Sequence, residues 1–176
     1  MNRADYQVVS KCGKYLFRAI RHEELEEMFR LILSRMEWMD EVGIKQWNVT
    51  FYDEVYPVSY YDECYKKGEI YVLVNLENDQ ISCAAALKEK DERWNEDGVS
   101  AFYLHHFVSK VGSKGVGSLY LELAEKFAKA CGKEYFRLDS AVGNEPLERY
   151  YSSRGYRAVG ECIDGLYEGI LRQKKL

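Results

Sequence analysis

The spacing of apolar residues predicts four helices. From Leu25 to Met36 they recur every three or four positions, the period of a helix with one buried face. The same period begins again at Val116, and shorter stretches of helical character follow Pro57 and begin at Asn144. Glycines mark several of the expected ends. The predicted helices cover 25–36 with an end near Gly43, 59–67, 116–128 with an end at Gly132, and 144–154.

Runs of β-branched and aromatic residues predict seven strands, at 15–20, 70–76, 81–87, 99–109, 135–138, 156–162 and 166–171. The second and third flank Asn78-Asp79 and are typical of a hairpin. The run 99–109 is apolar on both faces for much of its length, as in a buried strand of a mixed sheet. The stretch 47–57 is aromatic and irregular, which favours a loop.

The element order is therefore β-α-α-β-β-β-α-β-α-β-β, without internal repeats or low-complexity tracts. This order predicts one α/β domain over 15–176, preceded by an N-terminal extension, 1–14. A length of 176 residues is sufficient for one domain with a substantial core.

Composition narrows the function classes. The net charge of −4 and the lack of basic clusters argue against nucleic-acid binding, and no apolar run reaches the roughly 18 residues of a membrane span. The five cysteines are scattered, and residues 1–20 mix charged with apolar side chains, unlike a signal peptide. We expect a cytoplasmic protein with reduced thiols.

A cluster of glycines precedes the helix at 116. Residues 112–117 read Gly-Ser-Lys-Gly-Val-Gly and join a strand to a helix, a connection that presents backbone N–H groups to an anion. A Walker loop would need Ser or Thr after Lys114, where Gly115 stands. A dinucleotide motif beginning at Gly115 would need glycine at Tyr120. The loop therefore predicts a phosphate site of another kind.

A second motif lies about 30 residues downstream, in the segment 144–156. Asn144 is suited to cap a helix, and Pro146 is tolerated in a first turn. Tyr151 follows Asn144 by seven residues, about two helical turns, so both face the same side. Gly155 suits the left-handed helix stop.

Together the two motifs, over residues 15–172, resemble the GNAT superfamily of acyl-CoA-dependent N-acyltransferases. The pyrophosphate loop of that family has the pattern Gln/Arg-x-x-Gly-x-Gly/Ala. Residues 112–117 match both glycines of the pattern, and Gly112 replaces its first, polar residue. The family's later helix often shows Asn-x-x-Ala, then Tyr and Gly-Phe, which correspond here to Asn144, Leu147, Tyr151, Gly155 and Tyr156. The segments 43–47 and 103–106 are also similar to a bacterial branch of small family members.

The resemblance implies an N-acetyltransferase in which an amine attacks the thioester of acetyl-CoA directly, with both substrates bound. The Val108 N–H would steady the developing oxyanion, and Tyr151 would act as general acid toward the departing thiolate. The implied coenzyme A contacts are Phe107, Val108, Ser109, Gly112, Ser113, Lys114, Gly115, Val116, Gly117, Ser118, Asn144 and Tyr151.

The general base depends on the acceptor amine, since a lysine-like amine must give up a proton that an α-amine loses more readily. His105 and His106 are the candidates because histidine titrates near neutrality. They lie on opposite faces of a regular strand, and a bulge of the kind the family often has there leaves the choice open. The candidates for the acceptor side are Glu37, Asp40, Glu41, Trp47, Phe51 and Tyr52.

Two other functions stay open: a non-catalytic acyl-CoA sensor on the same fold, and a nucleotide-binding α/β domain. Two features favour the sensor: the loop has Gly112 at its first position, and Phe102 stands where some relatives carry an acidic base. Three histidines without HxH or HxxxH spacing suggest no metal site. The expected partner is a small-molecule or peptide amine, and a homodimer is possible by resemblance.

Overall fold

Eight strands in residues 5–176, the part of the chain that this computed structural model describes, form one sheet. They are β1 (Tyr6–Ser10), β2 (Gly13–Ala19), β3 (Ile70–Asn75), β4 (Gln80–Lys88), β5 (Ala101–Ser109), β6 (Tyr135–Ala141), β7 (Arg157–Asp164) and β8 (Tyr167–Lys175). Their spatial order is β1-β2-β3-β4-β5-β6-β8-β7. Neighbouring strands are antiparallel except β5 and β6, which run parallel.

Helices cover both faces of this sheet. They are α1 (Leu25–Val42), α2 (Tyr52–Val55), α3 (Val58–Lys66), α4 (Val116–Ala130) and α5 (Glu145–Ser153), with 3-10 turns at His22–Glu24 and Trp47–Val49. Gly43 ends α1 with a left-handed φ of 74°. None of the helices in residues 5–176 has the length and apolar character required to cross a bilayer.

The alternation of side chains along the strands divides the core into two layers. Val72 and Val74 point into a layer with α1 and α3, where Met28 is fully buried. Leu73, between them, points to the opposite layer, where Tyr120 of α4 is also fully buried. Because both faces are covered, β3 is apolar at consecutive positions.

The structure corrects two expectations. The expected extension, 1–14, is not separate from the domain in its described part, because Tyr6–Ser10 pairs with β2 as the edge strand of the sheet. Its alternating burial, with Val8 packed on the core and Val9 exposed, is too short a pattern to stand out in the sequence. The stretch 47–57, expected as a loop, contains α2 and a 3-10 turn.

Two irregularities open the centre of the sheet. The pairing of β5 with β6 ends where Leu104 faces Leu138. Beyond that point β6 pairs with β8 alone, and β5 and β6 diverge. We call the gap between them the wedge. On the other edge of β5, His105 faces Ala86 and Val108 faces Ala84, so β5 carries one extra residue, a bulge. His106 within the bulge has φ 56°, rare for a residue with a side chain.

Candidate active site

A cavity of about 650 Å³ begins at the glycine loop, passes through the wedge and ends beneath the segment 46–56. Its donor end, as we call the part by the loop, is lined by Ser113, Gly115, Gly117 and Ser118. Its far end, the acceptor end, is lined by side chains of the segment 46–56 and of the turn between β7 and β8. One continuous cavity thus connects the two regions that the sequence analysis singled out.

The glycine loop folds as an anion cradle. Gly112 and Gly115 have φ values of 84° and 80°, and Gly115 caps the start of α4. A side chain at Gly117 would come 3.7 Å from Phe107 Cζ and 4.0 Å from Ser109 Oγ, so the first turn of α4 lies close against β5. Glycine is favoured at Gly112 and Gly115 because their backbone is left-handed, whereas a Cβ at Gly117 would make only ordinary van der Waals contacts.

Three residues of the loop do not line the cavity. Gly112 is exposed, and Val116, the first residue of α4, is buried in the core. The Lys114 carbonyl accepts a 3.4 Å hydrogen bond from Cys12 Sγ, in the turn between β1 and β2. Their expected contacts with coenzyme A remain predictions.

The expected coenzyme A contacts on β5, residues 107–109, lie beside the wedge. Phe107 and Ser109 line the cavity, whereas the Val108 side chain is buried in the layer with α1. Because β6 does not pair with this half of β5, the backbone there faces open space rather than a neighbouring strand. This is the arrangement that an extended ligand arm needs to add its own hydrogen bonds.

Helix α5 brings Tyr151 to the cavity. The Asn144 Oδ1 accepts a 3.2 Å hydrogen bond from the Leu147 N–H, so this side chain caps the helix and does not line the cavity. Tyr151, two turns on, is 5 % exposed and lines it. Burial, followed by the nearby Tyr150 and Asp139, raises the pKa of Tyr151, so its phenol keeps its proton.

Aromatic rings form the acceptor end. Trp47 and Tyr52 stack with centroids 4.5 Å apart, and Tyr56 packs edge-on against Tyr52 at 4.9 Å. Phe51 also lines the cavity but is 60 % exposed. Burial raises the pKa of Tyr56 to about 12, so this wall is uncharged at neutral pH.

The acidic residues expected from α1 lie elsewhere. Glu37, Asp40 and Glu41 are exposed, and none lines the cavity. Arg35 and Met39, four residues apart and therefore on one helical face, take that place. The Asp40 carboxylate instead accepts a 2.7 Å hydrogen bond from Asn48 Nδ2, which ties α1 to the following turn.

Both histidines line the cavity, and His106 lies in a cage of tyrosines. Its Nδ1 shares a hydrogen bond with the Tyr52 hydroxyl, and its Nε2 lies 3.0 Å from the Tyr60 hydroxyl. That hydroxyl also accepts a 2.8 Å bond from Lys88 Nζ. Burial, followed by the nearby His105, Lys88 and Arg93, holds the pKa of His106 well below its ordinary value. A neutral imidazole bridging two phenols is the state that this cage favours.

His105 belongs to a charged cluster. Its Nδ1 accepts a 2.6 Å hydrogen bond from Arg93 Nη2, which fixes the ring proton on Nε2, 3.1 Å from the Asp91 carboxylate. Arg93 also contacts Asp91 at 3.2 Å and Asp139 at 3.3 Å. Burial would raise the pKa of Asp91, but His105 and Arg93 outweigh it and hold that pKa far below its ordinary value.

Asp91, His105 and Asp139 have donor atoms within 4.8 Å of one another, a spacing that suits a metal ion. Arg93, however, contacts all three residues and places a guanidinium among them. A cation would have to displace that positive charge. The cluster is therefore better described as an arginine-centred network than as a metal centre.

Sequence reasoning missed several cavity residues. Arg35, Tyr56, Arg93, Asp139, Asp164 and Tyr167 all line the cavity. They lie far apart in the sequence and match no local motif, so a long-range contact map would be the first signal able to group them. Asp139 could have been suspected, since it follows the point where β6 leaves β5.

The sequence matches no known family model and no curated protein. Solved structures with a similar fold are found when the structures are compared. A GNAT-family acetyltransferase from Listeria monocytogenes superimposes with a TM-score of 0.79 at 21 % identity, over 97 % of this chain and 100 % of the other. One from Streptococcus agalactiae gives 0.74 at 18 % identity, over 92 % and 95 % of the two chains.

A third structure is the PaiA N-acetyltransferase of Thermoplasma acidophilum in complex with coenzyme A. It superimposes with a TM-score of 0.68 at 18 % identity, over 92 % of this chain and 99 % of that one. The protein therefore has the GNAT acetyltransferase fold, which confirms the fold that the two sequence motifs predicted. At these low sequence identities the structural similarity shows the fold alone, so the chemistry is argued from the residues of the cavity.

Proposed function

We propose that this protein is an N-acetyltransferase that moves an acetyl group from acetyl-CoA to a primary amine of a small molecule or peptide. The observation that carries the proposal is the single cavity that joins the anion cradle at α4 to an aromatic acceptor end through the wedge between β5 and β6. A connected cavity with two chemically distinct ends is what direct attack in a ternary complex requires.

At the donor end, the pyrophosphate lies against the backbone N–H groups of 113–118, where the positive end of the α4 dipole favours an anion. The pantetheine arm extends along the open edge of β5, past Phe107 and Ser109. The GNAT structure that contains coenzyme A supports a coenzyme A site in this fold.

In the wedge, the amine nitrogen attacks the thioester carbonyl carbon and the carbon–sulfur bond breaks. A backbone N–H of the bulged strand, with that of Val108 as the expected one, stabilises the oxyanion. Tyr151 donates a hydrogen bond to the departing sulfur, which takes up one proton, while the amine loses one.

The acceptor end suits a cationic amine. Asp164 lines it, whereas Asp139, which accepts a 2.6 Å hydrogen bond from Tyr167, lies 3.3 Å from Arg93 and is already paired with that positive charge. Asp164 lies 3.4 Å from the Tyr56 hydroxyl, at the edge of the aromatic wall. Aromatic faces and carboxylates both attract an ammonium group.

The base remains a choice between His105 and His106, and the structure adds a condition for each. His105 must first release Arg93 from Nδ1, because that nitrogen carries its lone pair. His106 also lines the cavity, but both of its ring nitrogens bond tyrosine hydroxyls, so it must first release Tyr52 or Tyr60. An acceptor of low amine pKa needs neither, so pH profiles with acceptors of different pKa distinguish the cases.

The decisive experiment measures thiol release from acetyl-CoA with a panel of diamines, amino acids and peptides, beside calorimetric titration of coenzyme A and ATP. We expect coenzyme A to bind and thiol to appear only with an amine present. Binding of coenzyme A without thiol release on any amine would favour the sensor function. ATP binding without coenzyme A binding would overturn the proposal in favour of a nucleotide-binding domain.

A further inference from the structure

Arg35 carries a positive charge into the cavity from an unexpected element. It belongs to α1, which packs on the face of the sheet opposite to α4. Its Nη2 lies 2.6 Å from the Ser109 carbonyl oxygen and 3.1 Å from Ser109 Oγ. Ser109 ends β5 and lies close to Gly117, in the first turn of α4. The guanidinium and the glycine loop therefore share one corner of the cavity.

The charge of Arg35 has no counter-ion within residues 5–176. Its contacts are the two neutral oxygens of Ser109 and the Trp38 ring, whose centroid is 4.7 Å from the guanidinium carbon. Among the described carboxylates, none lies within salt-bridge distance of it, although the side chain is half-buried. A guanidinium keeps its charge in proteins, so a half-buried one without a counter-ion costs free energy that an anionic ligand would recover.

Arg35 also keeps hydrogen-bond donors in reserve. A guanidinium has five N–H groups in one plane, and both protein contacts involve Nη2. Nη1 and Nε make no hydrogen bond to any residue of the described chain. These N–H groups remain available to donate charge-assisted hydrogen bonds to an anionic oxygen.

The glycine loop lacks a polar side chain that the family pattern has. At its first position the GNAT pattern has Gln or Arg, whereas this chain has Gly112, which is exposed and lies off the cavity. The loop therefore supplies backbone N–H groups and no long polar side chain of its own at that position. Arg35 lines the same cavity and bonds Ser109, the residue that lies against Gly117, so its guanidinium lies on the loop's side of the cavity.

We propose that Arg35 binds the pyrophosphate of acyl-CoA, in place of the polar side chain missing at Gly112. The inference rests on the proposed acyltransferase function, since it names a further residue of the same donor site. The competing explanation is that Arg35 only ties α1 to the end of β5 through Ser109.

The test compares Arg35→Gln and Arg35→Lys with Arg30→Gln, a control on the same helix whose side chain is exposed and does not line this cavity. Calorimetry measures the binding of coenzyme A, dephospho-CoA, 4′-phosphopantetheine and pantetheine, and circular dichroism checks the fold. We expect Arg35→Gln to weaken binding of the first two by about tenfold to a hundredfold, as loss of a charge-assisted hydrogen bond does. Arg35→Lys should lose less, and Arg30→Gln should match the unchanged protein.

The truncated ligands separate the explanations. 4′-Phosphopantetheine and pantetheine differ only by a phosphate, so Arg35→Gln should weaken the first and spare the second. Equal weakening of both would indicate a structural role and overturn the proposal, as would unchanged coenzyme A binding. A loss seen with coenzyme A but absent with dephospho-CoA would move the contact to the 3′-phosphate and overturn the pyrophosphate assignment. Failure of the unchanged protein to bind coenzyme A would overturn the proposed function itself, together with this inference.

Discussion

Tyr151 lies where the thiolate would leave, and its removal tests the acid step. Because a tyrosine pKa ordinarily exceeds that of a thiol and burial raises the pKa of Tyr151 further, the phenol stabilises the thiolate by a hydrogen bond more than by complete proton transfer. We expect Tyr151→Phe to lower kcat by about tenfold to a hundredfold with little change in KM, rather than to abolish turnover. Tyr150→Phe is the matched control, since Tyr150 also lines the cavity but bonds Ser118. Unchanged kcat in Tyr151→Phe would remove this residue from the mechanism.

Asp164 is the residue that tests the acceptor end. It is exposed at the turn between β7 and β8 and lies 3.4 Å from the Tyr56 hydroxyl. We expect Asp164→Asn to raise KM for a diamine about threefold to fivefold, the scale of an exposed charge interaction, and to leave KM for acetyl-CoA unchanged. Glu161→Gln, on the same strand and outside the cavity, serves as the control. A rise in KM for acetyl-CoA instead would place Asp164 at the donor site.

Single residues were predictable where a local motif or a rare side chain marked them. Tyr151, Trp47 and Tyr52 all line the cavity that the proposal uses. Glu37 was selected only because it lies near the end of α1, and the helical period places Arg35 and Met39 on the cavity face instead. The ring contacts of His106 involve residues more than 40 positions away in the chain, which no local pattern can show.

At the scale of elements, the glycine loop is the feature whose loss should remove donor binding. Gly115 lines the cavity at φ 80°, and Gly98 lies outside it at φ 71°. Valine at either position strains the backbone to a similar degree. We expect Gly115→Val to weaken coenzyme A binding at least tenfold, measured by calorimetry, because its side chain also crowds Cys12 Sγ at 2.9 Å and displaces the cradle. Gly98→Val should bind normally, and equal losses in the two variants would indicate general destabilisation instead.

Elements with a strong period were predicted well, and short ones were not. The predicted helix from Leu25 and the one from Val116 both form, because their apolar stripes face a covered sheet. β1 was missed because five residues at a sheet edge bury few side chains, and α2 because four residues make no full pattern. The bulge at His106 was expected only by resemblance, since its cause is the non-local pairing of β5 with β4.

At the scale of the whole molecule, the burial of neutral His106 makes stability depend on pH. The pKa of His106 is held well below its ordinary value in the folded protein and returns to about 6.5 on unfolding. Below about pH 6.5 the unfolded chain therefore binds a proton that the native protein does not, so stability is full above that pH and falls as the solution is acidified. The limiting slope for this group is about 1.4 kcal/mol per pH unit.

His106→Asn is the variant to compare, since asparagine tolerates the left-handed φ of 56° better than most residues. Its baseline stability should be lower because Tyr52 and Tyr60 lose their shared partner. Urea unfolding at pH 7, 6 and 5 should nevertheless show a free energy of unfolding that falls less steeply than in the unchanged protein, by up to about 1.4 kcal/mol between pH 6 and 5. The acidic groups titrate lower, with the pKa of Asp91 held down by His105 and Arg93, and they affect both proteins alike. Parallel slopes would show that His106 takes up its proton in the native protein near the same pH as in the unfolded chain, and that result would contradict a buried imidazole held neutral.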